Sequence, residues 1–98
     1  MKKNALVDFN KWLDKRLKQK KFKTAYESAD EDSFVNVALQ IIRLREKNHL
    51  TQAQLAKKVK TSQQAIARLE SLRYRGYTLD SLDRIAKALH KRVNIQFV

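Results

Sequence analysis

An all-α chain is expected from three observations. Proline is absent and the single glycine is Gly76, so the chain has few of the residues that break helices. Apolar residues recur at spacings of three and four along most of the sequence. The central segment LTQAQLAKKVKTSQQAIARLE, residues 50–70, reads as two short helices joined by a tight turn. One exception stands at the end, where RVNIQFV alternates Val93, Ile95 and Phe97 with Asn94 and Gln96, as a short strand does.

In order, the first helix is expected from about Asn4 to Gln19, with Leu6, Phe9, Leu13 and Leu17 on one face and Trp12 beside them. A shorter helix holds Phe22, Ala25, Tyr26 and Ala29. Asp30 or Ser33 then caps a long helix to about Asn48, buried through Val37, Leu39, Ile41, Ile42 and Leu44. The next helix, Gln52 to Val59, carries a double start signal. Thr51 and Gln54 form a capping box, and Leu50 and Leu55 sit where a hydrophobic staple would close. Thr61 or Ser62 caps the following helix, whose Ile66 and Leu69 lie three apart on one face. After the loop SLRYRGY, Thr78 caps a helix from Leu79 to Leu89 with a buried stripe of Leu79, Leu82, Ile85, Ala86 and Leu89. The last segment, residues 92–98, needs a partner for its backbone N–H and C=O groups. The same strand of a second copy is the most economical one, which predicts a homodimer about a two-fold axis.

The central pair predicts function. Leu55, Val59, Ile66 and Leu69 converge on one small core, and Ala56 is small enough for a close helix crossing. Gln63, Gln64, Ala67 and Arg68 are left outside. Amides match adenine and a guanidinium matches guanine in the major groove, so Gln63, Gln64 and Arg68 are the candidate base-reading residues. The arrangement is a helix-turn-helix, a device for placing the second helix in DNA. Lys and Arg number 22 against 10 acids, a net charge of +12, as a polyanion partner requires. Charge alone leaves RNA and anionic membranes open; the motif favours double-stranded DNA.

This segment resembles the Cro/phage-repressor (XRE) class of helix-turn-helix proteins. IIRLREKNHLTQ is similar to the first helix of that class and its entry into the second, RLES to the end of its recognition helix, and TLDSLDRIAKAL to the helix that follows. Two departures concern the turns, where many members carry glycine in place of Lys60 and His49. A lysine in left-handed conformation costs about 1 kcal/mol relative to glycine, and Asn48 is expected to take over the cap near His49. The resemblance implies phosphate contacts from Thr51, Gln52, Ser62, Arg73, Arg75 and Thr78, and an ion pair between Arg45 and Glu70. The implied fold is a lambda-repressor-like bundle spanning residues 31–91, with a helical extension at 1–30 and the strand at 92–98.

The pattern FKTAYESADEDSFVNVALQIIRLREKNHLTQ, with the apolar end, further resembles HigA-type antitoxins. That resemblance implies repression of the chain's own operon at an inverted repeat and neutralisation of a RelE/HigB-like messenger-RNA endonuclease; a stand-alone repressor is the alternative. Residues 1–23 hold nine bases against two acids, whereas ESADED, residues 27–32, holds four acids and no base. A basic toxin would be met by Glu27, Asp30, Glu31 and Asp32, with Phe9, Trp12 and Leu13 as apolar anchors. An enzyme is not expected. His49 and His90 sit at helix ends without metal or general-base spacing, no nucleophile constellation is present, and one glycine cannot build a phosphate loop. No metal or cofactor is expected. The lack of cysteine and of a long apolar run suits a cytoplasmic, nucleoid-associated bacterial protein rather than a secreted or membrane one.

Overall fold

The computed structural model describes residues 5–29 and 31–98, with the side chains of residues 5–9 and 25 outside the description. The expected start near Asn4, the side chains of Leu6 and Phe9, and Asp30 therefore lie outside the described residues. Six helices follow in order: α1 (Ala5–Leu17), α2 (Lys20–Glu27), α3 (Ser33–Lys47), α4 (Gln52–Val59), α5 (Gln63–Leu69) and α6 (Leu79–Ala88).

The first two helices form a hairpin that packs on α3. Phe22 is its buried centre, with Trp12 edge-on at 5.6 Å and Tyr26 stacked at 6.2 Å. The Arg16 guanidinium lies over the Phe22 ring at 4.8 Å, an attraction to the negative ring face that compensates in part for covering its Nε. Trp12, Leu13 and Leu17 are half-buried, so this stripe is at least partly spent inside the chain.

The cap of α3 lies between the two residues expected for it. Its cap is Asp32, whose carboxylate accepts from the N–H groups of Phe34 and Val35, and Ser33 is the first helical residue. The capping register sets which face is buried: Val35, Ala38, Ile41, Ile42 and Arg45 are covered, whereas Val37, Leu39 and Leu44 are half-covered. Leu55, Ala56, Ile66 and Leu89 form the centre of the domain core, flanked by Leu44, Leu50, Val59 and Leu69. Leu55 and Ile66 are wholly enclosed. On α6, Leu79 departs from the expected stripe and is 59% exposed, because the first helical position points away from a core that Ile85, Ala86 and Leu89 already fill.

Three helices end in the same manner. His49, Lys60 and His90 take left-handed backbone with φ of 56°, 65° and 58°. The next N–H in each case reaches back five residues: Leu50 to Arg45, Thr61 to Ala56, and Lys91 to Ala86. This closes the orphan carbonyls of the last turn. The left-handed residue near the end of α3 is thus His49 itself and not Asn48, whose φ is −93° and whose amide donates to the Leu44 carbonyl at 2.8 Å.

The expected strand over residues 92–98 is not formed. Among the described residues no strand occurs, since a lone extended segment in one chain has no neighbour for its ladder. Val93 and Ile95 instead lie along a groove of about 540 Å³ between α3 and α6, while Phe97 is fully exposed.

Candidate nucleic-acid interface

Helices α4 and α5 pack tightly on one another, and α4 also meets α6. Ala56, nearly fully buried at the crossing, supplies the small surface on which α5 approaches. The turn between them is tight because Lys60 accepts the left-handed conformation. Ser62 then opens α5, its hydroxyl accepting from the Ala65 N–H at 3.1 Å. With Ile66 driven into the core, Gln63, Gln64, Ala67 and Arg68 are all exposed on the other side of the same short helix. Gln63 and Gln64 occupy its first turn and Arg68 its last.

The far end of α5 is clamped by charge. Arg45 Nε donates to Glu70 Oε2 at 2.7 Å and Nη2 to Oε1 at 3.0 Å, a bidentate pair with both residues 8% exposed. The third Arg45 bond goes to the Leu50 carbonyl at 2.8 Å, and Glu46 lies 3.2 Å away. Burial opposes the Arg45 charge, yet the Glu70 hydrogen bond and charge outweigh it and raise the guanidinium above its ordinary value. Gln52, at the start of α4, donates to Glu70 Oε1 at 3.1 Å. Three elements, α3, α4 and the end of α5, therefore meet at one carboxylate.

The segment after α5 is also tied down. Tyr77 donates to the Leu69 carbonyl at 2.6 Å, and burial pushes its phenol up to about 12. Its ring meets Tyr74 edge-on at 4.9 Å and stacks on Phe34 at 6.5 Å. Tyr74 donates to the Gly76 carbonyl, and its ring passes so close that a Cβ at Gly76 would stand 2.8 Å from the hydroxyl. A glycine fits this approach where a larger residue would displace the Tyr74 ring.

A family model described as helix-turn-helix matches residues 41–95, more than half of the chain. The chain belongs to the XRE-type helix-turn-helix family. The searches of curated proteins and of solved structures gave no match. The match begins within α3, so α1, α2 and the first part of α3 lie outside the matched residues. Among the described residues no helix is long and apolar enough to cross a membrane, and no cluster of His, Cys, Asp or Glu has the makings of a metal site.

Within this domain the expected phosphate residues divide into groups. Thr51, Ser62 and Thr78 are exposed, but each hydroxyl accepts a capping bond, from Gln54, Ala65 and Ser81 respectively. The hydroxyl protons of Thr51 and Ser62 stay suited to donation toward an anion, whereas Thr78 donates its own to the Ser81 hydroxyl at 2.9 Å. Gln52 is half-buried, and its amide is engaged by Glu70. Arg73 is exposed in the loop. Arg75 is 53% exposed in its side chain, but its Nη1 donates to Asp32 Oδ1 at 2.7 Å and its guanidinium lies 4.8 Å over the Phe34 ring. That hydrogen bond holds the Asp32 carboxyl below the usual carboxylate range and raises Arg75. Of the acidic run, Glu27 and Glu31 are exposed, whereas Asp32 is committed to the cap and to Arg75. Sequence reasoning missed the Asp32–Arg75 contact, the aromatic stack of Phe34, Tyr77 and Tyr74, and Arg84, which borders a small cleft with Arg68, Thr61 and Ser81. No periodic signal links residues 43 positions apart, so the Asp32–Arg75 and Phe34–Tyr77 contacts had no mark in the sequence.

Proposed function

We propose that the protein is a sequence-specific repressor of double-stranded DNA, and not an enzyme, with α5 as the recognition helix. One observation carries this reading: an exposed row of Gln63, Gln64 and Arg68 stands on a helix fastened at both ends by Ser62 and Glu70. Arg68 pairs with guanine and the glutamines with adenine, while Thr51, Ser62, Arg73, Arg75 and Thr78 hold phosphates. Two copies paired through residues 92–98 would place two such helices about 34 Å apart, one turn of DNA, so the operator is an inverted repeat. Truncating Arg68 loses roughly 1–3 kcal/mol on the operator and relaxes one base position. Truncating Arg73 weakens all duplexes alike and lowers the salt slope by about one. An Arg68→Ala chain that binds operator and random duplex as the wild type does overturns this assignment.

A second reading, an antitoxin that also neutralises a RelE/HigB-like endonuclease, is supported by the helices outside the matched domain and by the exposure of Glu27 and Glu31 beside them. A basic toxin would dock there. Removal of residues 1–32, and separately Glu27→Ser with Glu31→Ser, should abolish rescue of toxin-arrested cells while DNA binding persists; full rescue by both eliminates this surface.

A further inference from the structure

Asp32 has two duties. Its Oδ1 accepts from the N–H groups of Phe34 at 3.0 Å and Val35 at 3.3 Å, and the same oxygen accepts from Arg75 Nη1 at 2.7 Å. Arg75 belongs to the loop that follows the recognition helix; Asp32 belongs to the junction between α2 and α3. The pair is half in solvent, with side chains 53% and 28% exposed, so it is weak and readily exchanged. A carboxylate and a DNA phosphate engage a guanidinium with the same geometry and the same sign of charge. When Arg75 leaves, the Asp32 oxygen keeps its two backbone donors, so the contact can open without melting the start of α3.

We propose that Asp32 is an intramolecular competitor for DNA, holding Arg75 away from the phosphate that it must reach when the domain binds a duplex. The inference rests on the DNA-binding reading above and adds regulation to it. Opening the contact costs affinity, and the cost falls away for any basic partner that takes Asp32 first. Coupling of this kind is reciprocal: DNA at Arg75 also frees Asp32. The N-terminal helices, which run into this junction, are thereby linked to the DNA face by one exchangeable bond.

The test is Asp32→Asn, measured on a random-sequence duplex, because a phosphate contact is independent of sequence. Asparagine caps a helix as well as aspartate does, so α3 is preserved while the competing charge is lost. Binding should tighten about two- to fivefold, as removal of one exposed ion pair allows. Arg75→Ala should lower the salt slope by about one in either background and erase the gain from Asp32→Asn. Glu31→Gln removes the same charge one residue away and should have the smaller effect. The proposal is overturned if Asp32→Asn binds as the wild type does, if its gain survives in the Arg75→Ala background, or if Glu31→Gln matches it. A wild-type chain that binds no duplex even at low salt would instead refute the DNA-binding reading itself.

Discussion

Removing Glu70 should strand the buried charge of Arg45. Arg45 would lose two bonds, of 2.7 and 3.0 Å, inside a site where it is 8% exposed. Breaking such a pair costs about 3–5 kcal/mol. The remaining bond to the Leu50 carbonyl, with Glu46 at 3.2 Å, gives the stranded guanidinium partial relief, which places Glu70→Ala near the lower bound. Arg45→Met is expected to cost more. It leaves Glu70 with the Gln52 amide alone and orphans the Leu50 carbonyl. Urea denaturation reads both: at a slope of about 1.5 kcal/mol per molar, a loss of 3 kcal/mol lowers the midpoint by about 2 M. The double variant Arg45→Met/Glu70→Leu should be more stable than either single variant, because no charge remains stranded. Single-variant losses under about 1 kcal/mol, or simple additivity in the double, would show that water reaches the pair and refute the reasoning.

Three further outcomes follow from the geometry. Glycine at Lys60, His49 or His90 should each raise stability by up to about 1 kcal/mol, since each residue now bears a left-handed backbone, and thermal melts should rise by a few degrees apiece; unchanged melts would mean that those backbones are unstrained. Tyr77→Phe should lower stability at neutral pH by losing the bond to Leu69. Because the folded phenol is raised to about 12 from 10.0, its contribution is intact below pH 10 and is lost between 10 and 12, so the gap between wild type and Tyr77→Phe should narrow across that window in denaturation at high pH. Deleting residues 92–98 should give a monomer with poor operator affinity in sedimentation; a truncated chain that remains dimeric moves the interface elsewhere.

The elements most legible in the sequence are those set by local chemistry. The capping box of Thr51 and Gln54, the caps at Ser62 and Thr78, and the stripe of Ile85, Ala86 and Leu89 each depend on residues within four positions, and a linear pattern records them. The cap of α3 is ambiguous in the sequence because Asp30, Asp32 and Ser33 crowd together, and Asp32 gains a further partner in Arg75, 43 residues away. Leu79 was misplaced because a 3.6-residue period does not say where a helix enters its core. The terminal strand failed for a different reason. Alternation describes what a segment does when a neighbour exists, and a single chain offers residues 92–98 none.

The exposed row on α5 can read bases only if the helix holds still, and nothing intrinsic to seven residues ensures that. Isolated helices of fewer than about 12 residues are marginal in water, so the rigidity of α5 must come from its surroundings. Ser62 fixes the first turn, Ile66 sits with no exposure in the core, Glu70 is gripped by Arg45, and Tyr77 closes the Leu69 carbonyl. None of these four contacts touches the outward face. Positional accuracy at a base edge demands a side chain held to a fraction of an ångström, which loop-borne residues rarely achieve without a supporting shell. Gln52 joins the two requirements. Its backbone lies at the start of α4 on the side expected to meet phosphate, while its amide holds the carboxylate that anchors the recognition helix. A phosphate that drew the Gln52 amide outward would compete with Glu70. The bidentate arginine, left with two strong bonds of its own, is what would keep α5 in place during that exchange.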